Sequence, residues 1–426
     1  MRRVNDDVNS SCPLLSALVF AAVTVSAADW PQWRGSERTG HAAKEARLVQ
    51  SIPPEPKVLW RNKAGEGLAS PVAAGGNVFL FDNQGGKETT SAVDATTGKE
   101  LWSTPIDEVF KDSQGPAGPR CTPVVNGGRV FVQSCRGELQ CLDAADGKKI
   151  WGANFTKDFG ATFIGEKGSA QGAMRHGNNG SPVIDGDRLY AQVGSTNGAS
   201  VVCFDKHTGK VIWKSQNDVA GYGAPVVADV AGVRQVVSFT ADGVIGLQPT
   251  DGKLIWRVPV KTTFSRHAVT PVIHQDRVVV SSHQVGLMGI RVSKAGATQE
   301  WVSKEATINF ASPVAVGDYL YGLGPAKNVI CVEMATGKVQ WSKDGWWTTS
   351  ADKAHGAFLV LGQNILTLTD SGTLILFAAD SKECRELGRA QVCGANWCNP
   401  AYVDGKLFLR DGLRQNGEWL GVSLLP

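Results

Sequence analysis

Five times this chain writes nearly one phrase: VDATTGKELW (93–102), LDAADGKKIW (142–151), FDKHTGKVIW (204–213), LQPTDGKLIW (247–256) and VEMATGKVQW (332–341). Self-similarity at a near-constant interval constrains a fold more than composition does. Each copy must be the same supersecondary unit, and no copy can bury its apolar face alone. Tryptophans at 60, 102, 151, 213, 256, 301 and 341 fall mostly 40–49 residues apart. A second phrase, SPV or a close variant, begins in phase with them at 70, 122, 181, 224, 270 and 312. Between the two phrases lie glycine turns and short Val/Ile/Phe runs, which parse as four strands of about five residues joined by tight turns. A four-stranded unit repeating at roughly 42 residues predicts a propeller blade.

The turn chemistry agrees. Asp94, Asp143 and Asp205 are placed to accept from backbone N–H groups just ahead, while Gly98, Gly147 and Gly209 supply the positive φ. A tryptophan buried between blades removes about 200 Å² from water, at most about 5 kcal/mol, so the repeated tryptophans read as core. Two copies are degenerate: residues 355–387 keep the strand rhythm but carry Leu387 where the tryptophan belongs, and residues 399–425 supply only three strands. Near the start, PKVLWRNKA (56–64) is an outer strand with no blade before it. Joining the orphan strand to the incomplete blade removes both open edges. The expected fold is all-β: an eight-bladed β-propeller closed by an N-terminal strand, with an export segment over 1–28, an arm over 29–56 and the propeller over 57–426.

Composition narrows the setting. The chain has 426 residues, 49 glycines, 19% charged and 42% hydrophobic residues, which is a folded, turn-rich profile. A net charge of +3 without a Lys/Arg run gives no reason to expect nucleic acid. Arg2 and Arg3 precede an apolar run from Leu14 to Val25, then small residues at Ser26 and Ala28, although Asp6 and Asp7 are unusual before such a run. This predicts a cleaved export signal and a periplasmic or secreted product, and the run is shorter than the ~20 residues of a membrane span. Eight cysteines would remain. Cys141, Cys203 and Cys331 occupy equivalent buried strand positions, Cys393 and Cys398 are expected to form a disulfide, and Cys121 with Cys135 is a second pairing.

The TGKxxW phrase, the SPV strand starts and the DWPQWRG arm (29–35) resemble the PQQ-like repeat family of quinoprotein alcohol dehydrogenase-like and BamB-like β-propellers. That resemblance covers nearly all of the expected mature chain and implies the fold; chemistry must be argued from the site. Quinoprotein dehydrogenases hold the quinone over a tryptophan beneath a disulfide of adjacent cysteines, with an Asp, a Glu and an Asn serving calcium and the base. No Cys-Cys pair occurs here. No cofactor is therefore expected, with PQQ and calcium as the alternative and an envelope assembly scaffold as a third reading. Cys12 precedes the apolar run, where a lipid-anchor cysteine would follow it. TDSGT (369–373) matches a protease loop in letters but falls in a strand turn, and Walker, HExxH and G-x-S-x-G motifs are absent.

In a propeller, the loops before first strands and those between second and third strands emerge on one face. Here they carry Arg120, Arg136, His176, Asn178, Asn179, Tyr222, Arg266, His267, His283, Phe310, Lys327, Trp346, Trp347, His355, Trp397 and Arg410. The expectation is a basic, aromatic funnel on a monomer that binds an acidic glycan or an acidic protein segment without catalysis.

Overall fold

The computed structural model describes residues 28–349, 354–414 and 416–425. The apolar run of the export segment, together with Cys12, lies outside them. Eight four-stranded antiparallel sheets succeed one another along the chain, spanning residues 72–108, 124–154, 183–215, 226–259, 272–303, 314–343, 356–391 and 401–423. The eighth is completed from the other end of the chain: Lys57–Ala64 pairs antiparallel with Gly417–Ser423, Lys57 opposite Ser423 and Ala64 opposite Gly417. We number these blades 1 to 8. Within each, the short first strand, such as Val72–Ala74 or Val124–Asn126, packs near the first strands of neighbouring blades, so the first strands line the axis.

The repeated phrase is the joint between blades. Asp or Glu opens the turn in four of the five copies and Gln248 in the other, and a glycine near φ 72° lets it close, as at Gly98 and Gly147. Asp94 accepts from the Thr96 and Thr97 N–H groups at 3.0 and 2.7 Å, and Asp205 from His207 and Thr208 at 3.0 and 2.8 Å. The tryptophan of the preceding blade lies on that glycine. A Cβ on Gly147 would stand 2.5 Å from the Trp102 ring. The indole N–H then donates into the same turn: Trp60 to Ala95, Trp102 to Ala144, Trp151 to Lys206 and Trp213 to Pro249, each at 3.0 Å. Trp301 and Trp341 repeat the contact to Met334 and Asp380. Glycine and tryptophan are thus needed together, one blade apart. The exceptions have physical causes. Trp256 donates to Gln235 within its own blade, because blade 5 has SKAG (293–296) in place of the phrase. Leu387 replaces tryptophan because the third and fourth strands of blade 8 come from opposite ends of the chain, with no turn between them.

Cys141, Cys203 and Cys331 are fully buried and lie directly across from Trp151, Trp213 and Trp341. The expected disulfides are not present. Cys393 and Cys398 are separate buried thiols. Asn396 shapes their loop by hydrogen bonding instead, its amide donating to the Cys398 carbonyl at 2.8 Å and accepting from the Cys398 N–H at 3.1 Å. Cys121 and Cys135 are also free. The register, Val124 opposite Phe131, runs Cys121 out one residue short of Cys135. The two thiols point to different carbonyls, those of Asn178 and Gly118.

The arm over 29–56 is the part the repeat could not predict. It begins where first and second strands turn, with Asp29 accepting from the Gly75 N–H at 3.0 Å, and it returns there, with Arg47 N–H donating to Asp404 at 2.8 Å. Between these points it climbs the axis and touches every blade. Trp30 bridges to Ala73, Pro31 accepts from Val125, and Ala42 and Gly40 exchange hydrogen bonds with Val360. Tyr402 donates to the Arg47 carbonyl at 2.6 Å. At the tip, Arg38 donates to the carbonyls of Ser181 (3.1 Å), Pro225 (3.0 Å) and Pro182, and Arg34 to Pro313 (2.5 Å). Trp33 donates to Thr270 Oγ1 at 3.0 Å. These acceptors lie in or beside the SPV-type phrases, whose carbonyls face the axis at the strand starts. Burial lowers the Arg34 and Arg38 guanidinium pKa values to about 10 and about 9. The arm is a plug.

Candidate functional site

Above the plug, on the face where first strands begin, lies a pit of about 670 Å³. Each blade contributes a residue from the segment leading into its first strand: Leu68, Arg120, His176, Tyr222, Arg266, Phe310, His355 and Trp397 from blades 1 to 8. Trp33 of the arm tip joins them, along with Ser113, Gln114, Asn179, Thr270 and Arg414. Arg120, Arg266 and Arg414 are in the lining, and among the described residues no aspartate or glutamate is.

Of the residues expected at the funnel, Arg120, His176, Arg266 and Trp397 come together in the pit, as do Asn179, Tyr222, Phe310 and His355. Others go elsewhere. Arg136 and Asn178 line a small neighbouring cleft with Phe155 and Met174. Arg136 is exposed, and Asn178 is buried with its amide on the Cys135 carbonyl. His267 is fully buried, stacked on Phe239 with ring centroids 4.2 Å apart, and Nδ1 meets the Thr240 carbonyl at 2.7 Å. His283 and Lys327 are half-buried away from the pit lining, Lys327 in a strand turn at φ 61°. Trp346 and Trp347 belong to the core between blades 6 and 7, packed on Phe377 and Phe358. Arg410 is fully buried, donating to Gly412 and Gly65 and lying over Trp419, so it bolts blade 8 to the segment that enters blade 1. Apolar burial and backbone carbonyls claim Asn178, His267, Trp346, Trp347 and Arg410, while Arg136 stays exposed at the neighbouring cleft. Trp33 and Arg414 were missed. The signal for Trp33 was a Trp-Arg pair in an arm outside the repeat; Arg414 carried none.

One wall of the pit is a locked ionic group. Arg120 Nη2 meets Asp112 Oδ2 at 2.7 Å, His176 Nδ1 meets the same oxygen at 3.1 Å, and Arg120 Nη1 donates to the His176 carbonyl at 3.0 Å. Ser113 ties Glu166 into the group through its N–H at 2.7 Å and its hydroxyl at 2.9 Å. Burial would raise the Asp112 carboxyl, but the His176 hydrogen bond and the Arg120 guanidinium outweigh it and hold the group well below the carboxylate range. Among the described residues, Asp112, Glu166 and His176 form the set closest to a metal-ligand triad. Arg120 already supplies positive charge there.

The opposite wall is aromatic. Trp397 lies 5.9 Å from Phe310 and stacks with His355 at 5.5 Å and 21°. Burial lowers the pKa values of both His355 and His267 to about 4. An unfolded histidine titrates near 6.5, so between about 6.5 and about 4 the unfolded chain binds protons that these two rings refuse. Their contribution to stability is full above about pH 6.5 and is lost as pH falls toward 4. Urea unfolding across that window should show the decline, and His355→Phe should flatten part of it. An unaltered pH slope in that variant would mean the ring is not buried neutral.

Fold and pit together define a closed propeller whose axis is stoppered by the arm and which carries a basic, aromatic-walled cavity on the face where first strands begin. A family model described as "Outer membrane protein assembly factor BamB" matches residues 37–109 and 86–343. The chain belongs to this PQQ-like, BamB-like β-propeller family. Among curated relatives it is 25% identical over 258 residues to the outer membrane protein assembly factor BamB of Moranella endobia (strain PCIT), covering 57% of this chain and 62% of that protein. It is 27% identical over 258 residues to a polyvinylalcohol dehydrogenase of Pseudomonas sp, covering 47% of this chain and 40% of that protein. The chain thus spans about three fifths or less of these relatives. The fold matches the crystal structure of BamB from Moraxella catarrhalis at a TM-score of 0.59 and 16% identity, over 87% of this chain and all of that one. A quinohemoprotein alcohol dehydrogenase from Pseudomonas putida HK5 matches at 0.60 and 12% identity, over 93% and 80%.

Proposed function

We propose that this chain is an exported, non-catalytic binding propeller that takes an anionic ligand into the pit. The observation that carries this reading is the lining, built from all eight blades and the arm, with three arginines and, among the described residues, no carboxylate. Like charges around a concave, low-dielectric site attract an anion strongly and otherwise repel one another. Asp112 pairs with Arg120 and Glu166 is held by Ser113 behind that wall, so the arginines of the lining that make no ion pair among the described residues are Arg266 and Arg414. Export rests on the Arg2–Ala28 segment and agrees with relatives named for outer-membrane assembly. Among the described residues, no helix is long and apolar enough to cross a membrane.

The relatives named as dehydrogenases raise an oxidoreductase reading. Calcium takes six to eight oxygen ligands, carboxylates prominent among them, and the two acids at the pit wall, Asp112 and Glu166, are already engaged by Arg120, His176 and Ser113. The residues present do not fit a calcium-held quinone. Thermal-shift and calorimetric titrations with carboxylated oligosaccharides and acidic peptides test the binding reading. Affinity should fall with salt, since screening acts over ~10 Å at 0.1 M. Arg266→Ala with Arg414→Ala should weaken binding about tenfold or more, about 1.4 kcal/mol, while Arg136→Ala leaves it unchanged. Salt-independent binding, or dye-linked turnover of alcohols on adding PQQ and calcium, overturns the proposal.

A further inference from the structure

We infer that the pit's ligand is a short acidic glycan, with one sugar ring against Trp397 and a carboxylate on Arg266. This rests on the binding reading above and assigns it a chemical class. The wall makes three separate demands. The first is at His355, a residue only 6% exposed whose ring has no partner at either nitrogen among the described residues. A neutral imidazole offers one N–H donor and one acceptor lone pair, so the ring calls for groups that both give and take a hydrogen bond. Hydroxyls do this; carboxylates and phosphates only accept. His176 repeats the pattern across the pit, with Nδ1 spent on Asp112 and a buried Nε2 without a partner.

The second demand is apolar. Trp397, half-buried beside Phe310 and His355, joins them in the pit lining and gives it an aromatic wall. The C–H face of a pyranose ring covers such a surface while its hydroxyls remain at the rim, within reach of an imidazole. The third is charge. Arg266 lies over Phe264 at 5.7 Å, gives one N–H to Gln114 at 3.2 Å, and keeps a buried Nε without a partner among the described residues. A carboxylate completes it. Hydroxyls, an apolar ring face and a carboxylate together describe a sugar acid. An acidic peptide brings carboxylates but no hydroxyl-bearing ring.

Size and closure set the length. About 670 Å³ falls in the range of cavities that enclose small ligands, roughly 300–1,000 Å³. The arm fills the axis below with Trp33 at the pit floor, so a polymer cannot thread through and only a short oligosaccharide or a chain end can enter.

Calorimetry with a galacturonic acid trisaccharide, the neutral galactose trisaccharide of the same linkage and a hexaglutamate peptide tests this on the full chain. The acidic trisaccharide should bind, with the neutral one weaker by about tenfold, 1.4 kcal/mol. Arg266→Gln should lose a similar factor. His355→Phe should lose about fivefold in affinity with no fall in Tm, because a buried imidazole without partners contributes nothing to folding that phenylalanine lacks. Trp397→Phe, which keeps the wall, should lose less. Binding of hexaglutamate alone overturns the glycan assignment and leaves the pit reading standing. Binding of neither anion overturns both. Undiminished trisaccharide binding by His355→Phe removes the ring from that wall and overturns the inference.

Discussion

Arg38→Ala should lower the unfolding free energy by about 3 kcal/mol or more. The guanidinium donates to three buried carbonyls, those of Ser181, Pro182 and Pro225, and its Nε reaches Gln32. These acceptors belong to blades 3 and 4, and the proline after Ser181 gives them no N–H neighbour that could take over. Each carbonyl left unpaired in the interior costs roughly 1–3 kcal/mol, and removing a buried charge's interactions in one stroke is among the few mechanisms that produce losses of this size. Arg38→Lys separates charge from geometry, because an ammonium cannot present the fork that serves carbonyls on two blades. It should recover only part of the loss. Urea melts of the three proteins measure this directly. A deficit under about 1 kcal/mol for the alanine variant would mean that the arm rests in the axis without being held there.

Deleting residues 57–63 should have a larger effect, the loss of a single cooperative transition. The segment supplies nearly the whole fourth strand of blade 8, facing Gly417–Ser423. It also carries Trp60, which lies on Gly98 and donates to Ala95 and so joins blade 8 to blade 1. Truncating one buried aromatic costs about 3–5 kcal/mol. Here a strand ladder and the ring's closing contact go with it, and the Gly417–Ser423 edge is left unpaired. Unfolding followed by circular dichroism should become broad or begin at far lower denaturant, and aggregation through the bare Gly417–Ser423 edge should rise. A melting curve like that of the intact chain would contradict closure by this strand.

Much of this was readable from the letters. Blade number, strand order and closure follow from a repeat that has to satisfy itself: a tryptophan at 102 requires a glycine at 147 one blade on, and Leu387 marks the place where no such turn exists. The site was less readable. Trp346, Trp347 and Arg410 carry the residue types of a binding wall, yet Phe358, Phe377, Trp419 and the carbonyls of Gly65 and Gly412 claim them inside the ring. An arginine that will bind a ligand and one that will brace a loop look alike until their neighbours are known. The Cys393–Cys398 spacing was equally open, since five residues of separation suit a bridge or a turn held by Asn396.

The sequence alone determined the ring, because hydrophobic periodicity and turn chemistry are local, the strand rhythm recurring in eight blades and the turn phrase in five. The contents of the ring were decided only by tertiary structure. Residues 29–56 have no repeat, no strand periodicity and few apolar residues, and nothing within them shows that Arg34 and Arg38 have their partners some 143 to 279 residues away. Those partners are carbonyl groups, which every residue possesses and no sequence marks. Closing the ring turns them toward one axis, and only then do two arginines become a plug and eight unrelated loop residues a pit.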